Sequence, residues 1–443
     1  MKTITLRDKQ LLKKAKQTLL GNIVENPKNG WSGRCIIPSF DTYTGIWNWD
    51  SAFHAMTTSL FDKNLAYNHF HAFYKMQGED GMFPDAMIMS NDNFSIADRG
   101  SKPPVFPWAF VQVYKRNPDK KELKLAYEKF KNNETFWSQK RCYKGLFHYD
   151  CCDREKDWEQ ISKWESGWDT SPRFDTGCST LWCVDLNCFM ILYYESLEYM
   201  AKKLEIQIDA QKWNAKRKEL KKHIKESLWN NETKCFYDFD FSTNKFVKVL
   251  TPSSLMPLFA KIATPKQAYF MSQKVKESLY PGMPSVSYQD KSYTQTDFWR
   301  GPTWLNISYF AAIGLKNYKY NDLFIDITNC VLDWCYNEKL IHEYYDSKTG
   351  KGINGIEVSR APFYNTQTDT TGVDGSFEIY GNTWPEKEFQ IELKDIDPEK
   401  DGSYASKIET VNLKQVKKGS GSWYSGAFEA EGVILKMDED TKE

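Results

Sequence analysis

Trp164-Glu165-Ser166-Gly167-Trp168-Asp169-Thr170-Ser171-Pro172-Arg173-Phe174 leads almost directly into an apolar run from Ser179 to Met200. The Ser-Pro pair argues for a turn, because the residue before proline is pushed out of the helical region. The apolar run reads as a helix. The two acids are therefore expected on a loop at a helix start, where the helix end and Arg173 bear on their charge. Two tryptophans and a phenylalanine among acids suit a sugar, which offers an apolar C–H face and a rim of hydroxyls. The plainer alternative is a tryptophan-rich turn in which one acid and one arginine pin a loop.

The same unit, an aromatic, Gly- and Pro-rich loop followed by a helix, recurs along the chain. Residues 6–24 carry leucines at helical spacing. The loop from Gly30 to Gly45 ends in Tyr43-Thr44-Gly45-Ile46-Trp47-Asn48-Trp49-Asp50-Ser51. Asp50 or Ser51 there is expected to cap a helix through Phe61. A helix from Asn64 to Gln77 and a turn from Gly78 to Asp85 follow. Ser101-Lys102-Pro103-Pro104-Val105-Phe106-Pro107-Trp108 opens a helix to Tyr114. Further helices are expected at 119–139, 179–203, 208–229, 265–279, 302–315 and 320–338. Short strand-like pieces fall at Cys235–Asp240 and Lys245–Val249. Two later loops, Tyr293–Asn306 and His342–Gly352, have the same character. Helix pairs with all the special loops on one side predict an all-α fold, a closed ring of helical hairpins around one cavity.

From 353 to 421 the helical period disappears, and Ser376–Tyr380, Glu388–Leu393 and Lys407–Leu413 alternate like strands. This stretch is expected to be a β- and loop-rich insertion or lid within a single catalytic domain spanning 1–443. Helical character is expected again from Trp423 to Leu435, ahead of a loose acidic tail, Asp438–Glu443.

Lys and Arg total 59 and Asp and Glu total 59, so charge gives no case for nucleic acid or an anionic membrane as partner. Aromatics are 15% of residues, with 16 Trp, which favours a stacked core, a carbohydrate cleft, or both. The stretch Met1–Asp8 lacks an apolar signal core, and no uncharged run of about 18 residues occurs. The ten cysteines show no CxxC spacing, and Cys151 and Cys152 are adjacent. They read as reduced, mostly buried thiols of a cytoplasmic protein. Zinc-ligand spacing and a phosphate-binding glycine loop are both missing. No cofactor and no metal are therefore expected, with a loop-acid calcium site left open. The expected partner is a small carbohydrate.

Glycosidic bond hydrolysis needs two carboxyl groups, one protonated and one ionised. Asp169 and Glu343 are the acids best embedded in aromatic, Gly-rich loops; Glu165, Asp50, Asp175 and Asp297 compete. A raised pKa for the acid needs apolar walls, which Trp164, Trp168 and Trp299 can supply.

The motifs Trp47-x-Trp49-Asp50-Ser51-x-Phe53, Pro103-Pro104, Trp164-Glu165-Ser166-Gly167-Trp168-Asp169-x-Ser171-Pro172-Arg173, Trp299-Arg300-Gly301-Pro302-x-Trp304 and Glu343-Tyr344-Tyr345-Asp346-x-x-Thr349-Gly350 occur in that order. Together they resemble glycoside hydrolase family 63, which contains processing α-glucosidase I and the bacterial mannosylglycerate and glucosylglycerate hydrolases. The resemblance covers roughly residues 30–352. It implies an (α/α)6 barrel and an inverting mechanism with Asp169 as general acid and Glu343 as general base. It also implies that Asp50, Trp47, Trp49, Trp299 and Arg300 line the −1 sugar subsite. Tyr43 matches the short hydrolases acting on glycerate glycosides. Lys102, Trp164, Trp168, Trp304 and Tyr344 complete the expected substrate contacts.

Two departures stand out. Lys102 replaces a glutamine usual before the paired prolines, which suits an anionic aglycone or a different sugar contact. The element Ser422-Trp423-Tyr424-Ser425-Gly426-Ala427 looks like the family's following helix, displaced by the insertion. The leading expectation is an exo-acting α-glycosidase on a small α-glucoside or α-mannoside, with glycerate glycosides as the named guess. An α-glucan oligosaccharide or disaccharide glucosidase, and a non-catalytic carbohydrate-binding protein, are the alternatives.

Overall fold

Helix α1 (Leu6–Gly21) begins at Thr5, whose side chain accepts from the Asp8 N–H while the Asp8 carboxylate reaches back to the Thr5 N–H. That reciprocal cap satisfies two otherwise unpaired donors. Helix α10 (Pro265–Ser278) uses the same device with Thr264 and Gln267, and proline at its first position. The computed structural model describes residues 5–27, 30–40, 43–90 and 93–353, and beyond them four strands of the C-terminal region. The remaining helices are α2 (Asn48–Thr58), α3 (Lys63–Lys75), α4 (Phe106–Arg116), α5 (Lys120–Lys140), α6 (Trp158–Ser166), α7 (Val184–Lys203), α8 (Gln207–Ser227), α9 (Met256–Phe259), α11 (Leu305–Asn317) and α12 (Asn321–Asn337).

The chain divides into two units. One holds Met1–Ser39 and Tyr43–Ser359, the other Phe40–Thr42 and Arg360–Glu443. In the first, successive helices pair: α2 with α3, α4 with α5, α7 with α8 and α11 with α12. The first members of these pairs also pack laterally, α2 on α4 and α4 on α7, and the short α9 bridges α7 to α11. Phe310 of α11 meets Phe53 of α2, Trp108 of α4, Phe189 of α7 and Phe259 of α9, with ring centroids 4.8–6.0 Å apart. Those five helices thus share one aromatic centre. Helix α7 is buried round almost its whole girth, whereas α8 buries only Ala210, Trp213, Leu220 and Ile224. A helix apolar all round lies inside, and one with a single stripe backs it.

Several expectations need correction. Asp50 does not cap α2: Trp47 holds the N-cap position without a side-chain hydrogen bond, and Asp50 sits in the first turn. The helix expected from 179 starts at Val184, because Leu181–Trp182 pair as a strand with Phe239 and Asp240. Trp164 and Glu165 lie in the last turn of α6, not on a loop at a helix start. Gly167 ends that helix in the left-handed conformation. The buried face of α6 consists of Ser162, Glu165 and Ser166, so it carries no apolar period to read.

Among the described residues the second unit contains two antiparallel pairs. Glu388–Leu393 pairs with Lys407–Asn412, and Lys414–Lys418 with Gly426–Glu429. The helix expected from Trp423 to Leu435 is therefore overturned at Gly426–Glu429, which is strand. Glycines at 426 and 432 each weaken a helix by about 1 kcal/mol. Ser376–Tyr380, the rest of the Trp423–Leu435 stretch and the acidic tail lie outside the described residues. All ten cysteines are unpaired. No helix among the described residues is long and apolar enough to cross a membrane.

Candidate active site

Residues from the first turn of α2 and from the loops between helices converge on one pocket of the first unit. Tyr43, Trp47, Trp49 and Asp50 come from the start of α2, Lys102 from the loop before α4, and Gly167 and Asp169 from the turn between α6 and α7. Phe298, Trp299 and Trp304 precede α11, Glu343 follows α12, and Pro38 completes the lining. The pocket has room for water-sized molecules over ≈ 70 Å³, within ≈ 440 Å³ of space that includes open solvent.

Short strands and single hydrogen bonds hold these loops in place. Gly45–Trp47 pairs with Ala86–Ser90, setting Trp47 opposite Ala86 and bringing Asp85 alongside. The Asn48 N–H donates to the Asp85 carbonyl at 2.9 Å. Thr303–Trp304 pairs with Tyr344–Tyr345, so Glu343 is fixed by the residue that follows it. Four rings pack in series: Trp168 tilted by 33° against Trp299 (4.6 Å), then Trp299 stacked on Trp304 (3.8 Å) and Trp304 on Tyr344 (4.8 Å). Trp168 directly precedes Asp169 and Tyr344 directly follows Glu343, so the stack links the backbones that carry the two carboxylates. The Trp299 N–H also donates to Thr170 Oγ1 at 3.1 Å.

Gly167 is required where it stands. Its φ is +71°, and a Cβ there would lie 2.6 Å from Trp49 Cζ2. Gly167→Ala is expected to lower stability by about 2 kcal/mol in urea unfolding, from backbone strain plus displacement of Trp49. Changed near-ultraviolet circular dichroism would report the moved indole. A variant unaltered in both measurements would show that the turn relaxes freely.

The electrostatics centre on one ammonium among several acids. Lys102 Nζ lies 3.2 Å from Asp85 Oδ2 and donates to the Trp164 carbonyl. Burial pulls the ammonium down, but Asp85, Asp169 and Asp50 carry it above its ordinary value. Asp50 is pushed up to about 6 by burial, with Lys102 pulling down and Asp169 pushing up. Asp85 is pushed up to about 7 by burial, again opposed by Lys102. Burial raises Asp169 and Lys102 restrains it. Glu343 stands well above the ordinary carboxylate range through burial, then through Asp50 and Asp169. Asp85 Oδ1 and Glu343 Oε2 are buried and accept no hydrogen bond among the described residues. The site therefore offers carboxyls that burial raises and Lys102 partly restrains, with unfilled acceptor positions.

Other residues singled out from the sequence lie elsewhere. Trp164 is 41% exposed and not part of the pocket wall; its carbonyl, not its ring, meets Lys102. Trp168 and Tyr344 are buried behind the wall, as supports for Trp299 and Trp304. Arg300 turns away to pair with Asp175, which accounts for Asp175 as well. Asp297 is exposed, 3.9 Å from Arg300. Glu165 is fully buried and serves the scaffold. It accepts from Arg141 Nε at 2.9 Å, the Ser101 N–H at 2.9 Å and the Asp150 N–H at 2.7 Å, tying α6 to the Lys102 loop. Arg173 acts on Asp185 and Asp238, each at 2.7 Å, rather than on the pocket acids. Cys183, Asp185 and Asp238 bring donor atoms within 4.8 Å of one another, but the guanidinium already supplies the cation there. Asp85, Pro38, Gly167 and Phe298 went unremarked in the sequence as site residues. Asp85 ends a Gly- and Pro-containing turn of the same kind as the other site loops, which is the signal that marks it.

Comparison with known proteins places this geometry. The family profile described as "Mannosylglycerate hydrolase MGH1-like glycoside hydrolase domain" matches residues 43–365. A mannosylglycerate hydrolase of Thermus thermophilus is 22% identical, over 73% of this chain and 94% of that one. A periplasmic trehalase of Salmonella schwarzengrund is 27% identical over 43% of this chain, and the match spans 36% of the trehalase. Among solved structures, a mannosylglycerate hydrolase of glycoside hydrolase family 63 from Thermus thermophilus, in complex with Tris and D-glycerate, superposes with a TM-score of 0.68. It is 20% identical and the match covers 79% of this chain and 97% of that one, a likeness of fold.

Proposed function

Because this chain belongs to the mannosylglycerate hydrolase MGH1-like glycoside hydrolases, we propose that it is an inverting, exo-acting α-glycosidase on a small α-glucoside or α-mannoside. The observation that carries this is the meeting of Asp169 and Glu343 in one tryptophan-walled pocket. The laterally packed inner helices, four of them with an outer partner, are read as an (α/α)6 barrel.

In this reading the sugar lies against Trp47, Trp49, Trp299 and Trp304, with Asp50 accepting from its hydroxyls. The Asp169 carboxyl gives its proton to the glycosidic oxygen as the bond to the anomeric carbon breaks. Water enters from the opposite face and loses a proton to Glu343. The α-linked substrate thus releases a β-configured sugar. Such a pair needs about 6.5–9.5 Å between carboxyls, leaving room for the water. Burial leaves Glu343 the more strongly raised acid and Lys102 restrains Asp169. That is opposite to the resting states the roles require. The unpartnered Glu343 Oε2 reconciles the two: a bound water donating to it stabilises the ionised form.

Proton NMR of hydrolysis tests the reading, on mannosylglycerate, glucosylglycerate and small α-glucosyl and α-mannosyl disaccharides. The expected result is cleavage of at least one, with the β-anomer first. The α-anomer first would mean a covalent intermediate and another carboxylate as nucleophile. No cleavage favours a non-catalytic carbohydrate-binding protein. The trehalase relative is the observation that favours a disaccharide substrate over a glycerate glycoside.

A further inference from the structure

We infer that the enzyme selects α-glycosides whose aglycone is neutral, a small polyol or a second sugar, over those whose aglycone bears a carboxylate. The inference rests on the glycosidase reading and specifies its substrate class.

Lys102 is the one cation lining the pocket among the described residues. A free lysine there would be a receptor for an anionic aglycone. Instead its side chain is 7% exposed, and its ammonium is bound by the Asp85 carboxylate at 3.2 Å and by the Trp164 carbonyl. The loop that carries it is tied down as well. The Ser101 N–H donates to buried Glu165 at 2.9 Å, and Pro103-Pro104 follow at once. The lysine is thus built in as the counter-ion of the pocket's own acids. Arg300, adjacent in sequence to the Trp299 wall, is held by Asp175 and does not line the pocket.

The rest of the polar wall asks for donors. Asp50, Asp169 and Glu343 line the cavity, and Asp85 stands behind Lys102. Asp85 Oδ1 and Glu343 Oε2 are buried acceptors without partners among the described residues. An unfilled buried acceptor is stabilised by a hydroxyl, which brings a proton to share. A carboxylate brings only acceptors and a like charge into a site of low dielectric. Burial already pushes Asp85 up to about 7 and Asp50 up to about 6, so the site resists the negative charge it has. A further anion at the leaving-group position meets the same resistance.

Matched substrates isolate the charge. α-Glucosylglycerol and α-glucosylglycerate differ by a hydroxymethyl against a carboxylate, and the mannosyl pair differs in the same way. In each pair kcat/KM for the neutral member is expected to exceed that for the anionic member at least tenfold. The gap is expected to narrow as salt screens the repulsion. A preference for the carboxylate that disappears in Lys102→Gln overturns the inference and makes the lysine its receptor. Binding of the same four compounds is read separately by quenching of the pocket tryptophans. Tighter binding of the neutral members without turnover keeps the charge selection and sinks the glycosidase reading. Tighter binding of the anionic members sinks the inference whatever the turnover. Binding of none of the four sinks both.

Discussion

Asp169→Asn and Glu343→Gln each lower kcat by a factor of about 10² to 10⁴, the range for losing a positioned general acid or base. At 1.36 kcal/mol per decade this is about 3–5 kcal/mol of lost transition-state stabilisation. The two losses differ in kind. An α-glycosyl fluoride has a leaving group that needs little protonation, so Asp169→Asn keeps far more activity on it than on an alkyl glycoside. Glu343→Gln gains nothing from the better leaving group, because water must still be deprotonated. The pH profiles separate further. Asp169 is a like charge that helps to raise Glu343. Removing it lowers the Glu343 pKa, so the acid limb of kcat/KM in Asp169→Asn moves to lower pH. Equal losses on both substrate types, with an unmoved limb, would show that Asp169 only orders the pocket. Neither substitution should harm folding, since each removes a carboxyl whose charged form burial disfavours.

The sequence made the pocket legible because its parts share a composition. Aromatic residues beside Gly or Pro mark the stretches at 43–50, 164–174 and 298–304, Lys102-Pro103-Pro104 and Glu343-Tyr344-Tyr345-Asp346 stand out as short motifs, and the helices between them follow from apolar spacing. Which acid does what was less legible. Glu165 and Asp169 stand four residues apart in one aromatic stretch. Only the fold separates them: the first is buried against Arg141 and the second faces the cavity. Arg300 carries a charge that belongs on paper to the sugar site, and the fold gives it to Asp175. Helix α6 escaped because its buried face is polar. Asp85 escaped because its importance lies in a partner, Lys102, seventeen positions on. The Gly- and Pro-containing turn that Asp85 ends marks the loop, but not the pairing. The strand at Gly426–Glu429 escaped for a related reason: its partner, Lys414–Lys418, sets it, not its own mixed sequence.

Arg173→Met lowers folding stability by about 3–5 kcal/mol, the cost of leaving buried charges without their counter-ion. Arg173 is 1% exposed and its guanidinium is shared. Nε and Nη2 donate to Asp238 at 2.7 and 3.1 Å, while Nη2 and Nη1 donate to Asp185 at 2.7 and 3.2 Å. Asp238 also accepts from the Val184 N–H at 2.8 Å, at the first position of α7. One cation therefore joins three segments: the turn that follows Asp169, the start of the most deeply buried helix, and the strand Asp238–Asp240. It also lies over the rings of Trp168 and Phe174, 5.1 and 4.9 Å from their centroids. Methionine keeps much of the stem packing but strands two carboxylates side by side. Urea unfolding measures the loss. A companion carrying Arg173→Met with Asp185→Asn and Asp238→Asn removes the repulsion, so it should recover much of the deficit. If the single variant is as stable as wild type, the cluster is wetter than its burial indicates and the arginine is not what fixes the turn. If the triple variant is no better than the single, the arginine's loss acts through packing on Trp168 rather than through charge. Because Trp168 is the first ring of the stack ending at Tyr344, that second outcome would also predict weakened sugar binding in both variants. Recovery of stability by charge alone would leave binding intact.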